Sequence, residues 1–137
     1  MFTQEECDWM NQHMPDTMME ALGIRFLPTD DDVALAEMPI AGPTRQYFGV
    51  LHGGASLALA ETVAGAGSLH LLGREARICG LQVNGSHVGM SPTEGKVYGR
   101  ATLVHAGRTT HLWNVDVVDE GGRLLSTIRV TNFVLLQ

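Results

Sequence analysis

From Leu51 to Leu72 the chain is built almost entirely of Ala, Leu, Gly, Ser, Thr and Val, with one charged side chain, Glu61, and two histidines, His52 and His70. A run this rich in Ala and Leu predicts a helix, and a helix that is apolar on every side has to be buried. The rest of the fold must therefore be built around it. At about 20 residues and roughly 30 Å the segment also reaches the length of a bilayer span, but its glycines, its carboxylate and its histidines argue for the interior of a folded domain. No membrane role is expected.

The flanking sequence supplies the wrapping. Trp9, Met10, Met14, Met18, Met19 and Leu22 recur at roughly helical spacing with Pro15 between them, which predicts two short helices. Ile24 and Phe26, the Asp30-Asp31-Asp32 turn, and Val33 and Leu35 onward to Ile40 predict a hairpin. After Gly73 the period becomes two. Val97, Gly99, Ala101 and Leu103 alternate with Lys96, Tyr98, Arg100 and Thr102, and Trp113, Val115 and Val117 alternate with Asn114 and Asp116, as half-buried strands require. Turns are marked at 91–95, 105–108 and 119–122, and the meander closes from Ile128 to Leu136. One buried helix and a set of long antiparallel strands are most simply combined as a curved sheet wrapped around the helix, an α+β fold. The chain reads as a single domain over residues 1–137, without repeats or linkers.

Composition excludes several functions. The formal net charge is −6 and the nine basic residues are scattered, so the clustered Lys and Arg that neutralise phosphates are missing and nucleic acid is not an expected partner. Cys7 and Cys79 show neither metal-ligand nor redox-pair spacing, and reduced thiols in the cytoplasm are expected. The start Met1-Phe2-Thr3-Gln4-Glu5-Glu6 is acidic where a secretory signal is basic. His13, His52, His70, His87, His105 and His111 show no clustered ligand spacing, and no metal or other cofactor is expected.

Glu61 is the one charge between Arg45 and Arg74. A carboxylate in apolar surroundings loses hydration, so it is kept for a partner that satisfies it, for a subunit contact, or for its basicity. Upstream, Gly49-Val50-Leu51-His52-Gly53-Gly54 leads into the helix, and free N–H groups at Gly53 and Gly54 would stand at the positive end of its dipole as an oxyanion site. From a helix start near His52, Glu61 is nine residues on, about 13 Å along the axis and on roughly the opposite face. One helix cannot unite them. A composite site needs a second, antiparallel copy across a two-fold axis, with Ala58, Ala64, Gly65, Ala66 and Gly67 allowing close packing.

The run Gln46-Tyr47-Phe48-Gly49-Val50-Leu51-His52-Gly53-Gly54-Ala55-Ser56-Leu57-Ala58-Leu59-Ala60-Glu61 resembles the signature of hotdog-fold acyl-CoA thioesterases of the PaaI-like branch, nearest to the enterobactin-proofreading and dihydroxynaphthoyl-CoA enzymes. Glu94-Gly95-Lys96-Val97 and the spacing of Asn84 and His87 extend the likeness over most of the chain. The resemblance implies a hotdog fold, a homodimer assembled into a homotetramer, and hydrolysis of an acyl-CoA with an aromatic or medium-chain acyl group, or of a thioester on an acyl-carrier protein. It implies that Glu61 is nucleophile or general base, that the Gly53 amide polarises the carbonyl, that His52 supports the thioester end and that Gln46 positions water or the acyl group. His87 resembles a residue lining the CoA and acyl channel, and His105, Gly107 and Arg108 resemble the turn that meets the nucleotide phosphates. Two departures stand out. Gly65 replaces a small hydroxyl residue one turn beyond the Glu, and Val88-Gly89-Met90 lacks the basic residue many relatives have, so fewer polar acyl and phosphate contacts are expected there. The alternative left open is a non-catalytic acyl-CoA or acyl-carrier binding module in which Glu61 only stabilises the dimer.

Overall fold

The computed structural model describes residues 1–136. Two short helices, α1 (Gln4–Gln12) and α2 (Met18–Leu22), precede a small hairpin, β1 (Arg25–Leu27) and β2 (Ala34–Pro39). The central helix α3 (Gly53–Leu72) leads into four long strands, β3 (Arg77–His87), β4 (Lys96–Ala106), β5 (Thr110–Asp119) and β6 (Leu124–Leu136). All neighbours pair antiparallel in the order β1-β2-β4-β5-β6-β3, which leaves β1 and β3 as the two edges.

The expected alternation builds one inner face. Ala34, Ala36 and Met38 on β2, Val97 and Ala101 on β4, Trp113, Val115 and Val117 on β5, and Ile128 and Val130 on β6 are buried against Leu59, Ala60, Val63 and Ala64 of α3. Complete burial of a side chain such as Leu59 contributes roughly 1.5–3 kcal/mol. The indole of Trp113 sets how close the helix can come, since a Cβ at Gly67 would stand 2.6 Å from its ring. α3 is long and apolar enough to cross a bilayer, but it is the core helix, half of it sealed inside the fold.

The differences from the sequence reading have local causes. α3 begins at Gly53 because His52 is its N-cap, and Leu51 instead bridges Arg45. β6 begins at Leu124, before Ile128. Leu103 was expected inside but is 37% exposed, although it still pairs with the buried Trp113, and just beyond it the β4–β5 register shifts between Leu103 and His105. Ala64, Ala66 and Gly67, expected to face a second helix, are buried in the chain's own core. The helix therefore presents little of that small-residue stripe to another copy.

The N-terminal helices are fastened over one end of α3. Thr3 closes a capping box with Glu6 on α1, and the Glu6 carboxylate meets His70 Nδ1 at 2.7 Å near the C-terminus of α3. Burial pushes the Glu6 carboxyl upward, but hydrogen bonds from the Thr3 amide and His70, with the His70 charge, hold it below the ordinary 4.5.

Candidate active site

Glu61 stands between two cavities. The larger, about 360 Å³, is walled by Trp9, Met10 and Met14 from the N-terminal segment, Phe26 of β1, and Ile78–Gly80 of β3. The smaller, about 270 Å³, lies against Met18, Leu22, Ile24 and Ala58. The Glu61 side chain is half-buried, and among the described residues no hydrogen bond or ion pair engages it. A satisfying partner within its own chain, one of the readings open from the sequence, is thus not what retains it. Its Oε1 lies directly over the Cα of Gly80, in space that any other residue would fill with Cβ.

A second cavity system, about 170 Å³, forms at the other end of α3 and is lined by Gln46, Gly53, Ser56, His87, Ser91 and Ser126 among others. His87 closes β3, and its Nδ1 lies 2.7 Å from the buried Ser126 hydroxyl. The ring rests on the helix start, where a Cβ at Gly53 would come within 2.5 Å of His87 Nε2. Of the two amides expected to be free, only one is. Gly54 N–H donates to His52 Nδ1 at 2.8 Å, because the N-cap ring folds back over the first turn. Gly53 N–H has no acceptor among the described residues and points out from the positive end of the helix. His52 itself is exposed at the rim, and the Gln46 side-chain Oε1 accepts from the Phe48 amide.

The structure therefore brings Gln46, Gly53 and His87 together, with His52 beside them, and leaves Glu61 apart. Eight residues of helix separate Gly53 from Glu61, about 12 Å of rise, and the cavities at the two ends share no lining residue. His105, Gly107 and Arg108 lie at the Glu61 end of the sheet. His105 is the last residue but one of β4, Gly107 N–H donates to Thr110 O at 2.8 Å, and Thr110 is opposite Phe133, itself opposite Cys79 beside Gly80. His105 and Arg108 are exposed.

Two site residues went unread in the sequence. Gly80 is one of many glycines, and its role as the seat of Glu61 depends on a strand contact far along the chain. Asn132 lines the large cavity and was legible in principle, as a polar residue in the inward phase set by Ile128, Val130 and Val134. Behind it, Ser68, His111, Trp113 and Asn132 form a fully buried polar cluster. Burial, with the nearby charge of His105, lowers the His111 pKa below 6.5. Burial together with Glu6 and Asp8 pushes the Cys7 thiol up to about 11, so it is no nucleophile at neutral pH. Among the described residues no group of three or more His, Cys, Asp or Glu could hold a metal.

A long helix wrapped by a curved antiparallel sheet defines the hotdog fold. The family profile of the thioesterase superfamily matches residues 48–126, and the chain belongs to that family. It is similar to the 1,4-dihydroxy-2-naphthoyl-CoA hydrolase of Escherichia coli, 38% identical over 86% of this chain and 86% of that protein. Among solved structures it resembles a thioesterase of Haemophilus influenzae, with TM-score 0.90, 34% identity, and 99% and 92% of the two chains covered. A mutant thioesterase of Pseudomonas aeruginosa is as similar, with TM-score 0.91, 32% identity, and 98% and 97% covered. The protein is accordingly a hotdog-fold thioester hydrolase, which sets aside the non-catalytic binding module.

Proposed function

We propose that this chain hydrolyses acyl-CoA thioesters to the free acid and CoA at a site shared by two copies of itself. Glu61 of one copy reacts at the thioester carbon, either as nucleophile or as the base that takes a proton from water. The unpaired Gly53 amide of the other copy donates to the carbonyl oxygen as negative charge develops on it. His52 supports the thioester end through its outward ring nitrogen, Gln46 positions water or the acyl group, and His87 lines the channel. His105, Gly107 and Arg108 meet the nucleotide phosphates of CoA.

The observation that carries this reading is the separation of the two half-sites within one chain. The free edge of β3 supports a route by which they meet: it has 11 residues, only β6 beside it, and an exposed Leu81. A second copy adding its own β3 antiparallel would bring its His87 end to the Arg77 end of the first. Gly53 stands at the former end and Glu61, over Gly80, near the latter.

The acyl group lodges in the cavity of about 360 Å³ beside Glu61, whose Trp, Met and Phe walls suit an aromatic or medium-chain group. The naphthoyl substrate named for the Escherichia coli relative favours the aromatic choice. A thioester on an acyl-carrier protein is a second substrate of the same chemistry. The dimer pairs further into a homotetramer, and the unpaired thiols of Cys7 and Cys79 suit the cytoplasm.

Thiol release measured over aromatic, short-chain and long-chain acyl-CoAs tests the reading. Glu61→Gln should lower turnover by about 10²-fold or more, and His52→Ala by less. A folded Glu61→Gln protein with near-native turnover would remove Glu61 from the reaction.

A further inference from the structure

Asn132 is 1% exposed, and its amide is held in one orientation. Nδ2 donates to the Ala64 carbonyl at 3.2 Å and to Ser68 Oγ at 3.0 Å. A carbonyl oxygen can only accept, so a flipped amide would set two acceptors against each other. Ser68 Oγ also accepts from Trp113 Nε1 at 2.9 Å, which fills its two lone pairs. Its own proton therefore goes to His111 Nδ1 at 3.0 Å, and the ring is neutral with its hydrogen on Nε2. Three buried side chains, Ser68, Trp113 and His111, and the Ala64 carbonyl fix the amide.

The remaining atom, Asn132 Oδ1, has no donor among the described residues. Every described side-chain polar atom sealed from solvent does have a partner. Oδ1 must therefore open onto the cavity that Asn132 lines, among Trp9, Met10, Phe26, Leu69 and Ile78. The helix position beside it, Gly65, has no side chain to offer a ligand. Asn132 is the direct cross-strand partner of Gly80, over whose Cα the Glu61 carboxylate lies. Paired Cα atoms in such a ladder are roughly 5 Å apart. A locked acceptor thus faces into an apolar cavity next to the reacting carboxylate, and an acceptor left unpaired there disfavours any ligand that cannot supply a donor.

We infer that Asn132 is a specificity-determining residue whose Oδ1 accepts a hydrogen bond from a hydroxyl or amino group on the acyl moiety, so that acyl-CoAs bearing such a donor are preferred over the same acyl group without it. This rests on the proposed acyl-CoA hydrolysis at Glu61. The rival is a purely structural Asn132 that ties β6 to α3.

The test compares kcat/KM by thiol release for benzoyl-CoA and its hydroxy, amino and methoxy derivatives at each ring position. At one position the hydroxy and amino compounds should exceed benzoyl-CoA by about tenfold, while the methoxy compound, which has no hydrogen to donate, should not. In Asn132→Leu the ratio of hydroxy to unsubstituted substrate should collapse to about one, whatever happens to the absolute rates. A structural role would lower both rates alike and keep the ratio. Should Asn132→Leu fail to fold, the wild-type series decides: equal rates for hydroxy, amino and methoxy compounds overturn the inference. If no acyl-CoA is hydrolysed, the proposed reaction fails by itself, and calorimetric binding of hydroxybenzoate against benzoate reads the preference. Equal affinities there would likewise overturn it.

Discussion

Gly80 and Glu61 show how a missing side chain can set the pose of a charged one. Because the carboxylate occupies the volume of a Cβ, Gly80→Ala should turn Glu61 out of its pose. A displacement of about 1 Å can cost about 10²-fold in rate, so kcat should fall by that order while the melting temperature moves little. Near-native kcat in a variant with an unchanged melt would show that this pose is not the reacting one. Glu61 and Gly53 were legible in the sequence for a physical reason: a lone charge in an apolar run and a glycine at a helix start are each conspicuous locally. The fate of the Gly54 amide was not, since it depends on the rotamer of the His52 ring. Gly80 and Asn132 gain their meaning only from strand pairing.

The contact between α3 and the sheet is polar at one point, the cluster around Ser68. Ser68→Ala would leave Trp113 Nε1 and His111 Nδ1 without their partners and should cost about 2–3 kcal/mol, read from the urea midpoint. The same cluster gives stability a pH dependence. His111 is neutral when folded with its pKa below 6.5, so as pH falls through 6.5 the unfolded chain takes up a proton that the folded one refuses. Stability should be complete above that pH and decline from about 6.5 downward, a slope that His111→Gln should remove. Loss of the Glu6 contribution belongs to a separate window below 4.5. Among the elements, β4 and β5 were legible because one face of each is buried, whereas β3, mostly exposed along its length, offers no alternation from which to delimit it. The inward alternation of β4 breaks at the bulge near Leu103, which no periodicity announces.

For the molecule as a whole, the proposed division of the site between two copies makes complementation decisive. Glu61→Ala subunits and Gly53→Pro subunits should each be inactive, the proline because it removes the polarising amide. Mixed by co-expression, about half the dimers should be hybrids with one intact site out of two, restoring roughly a quarter of wild-type activity. Verified hybrids that stay inactive would rule out the shared site. A different division runs along the sequence. The stretch that marks the family, residues 48–126, contains Glu61, Gly53 and the seat at Gly80, whereas Trp9, Met10, Met14, Met19 and Phe26 on one side of the large cavity, and Asn132 on the other, lie outside it. The proposed chemistry thus falls within the stretch that marks the family, while the N-terminal segment and the end of the last strand supply the rest of the proposed acyl wall, so the two could be altered independently by substitution.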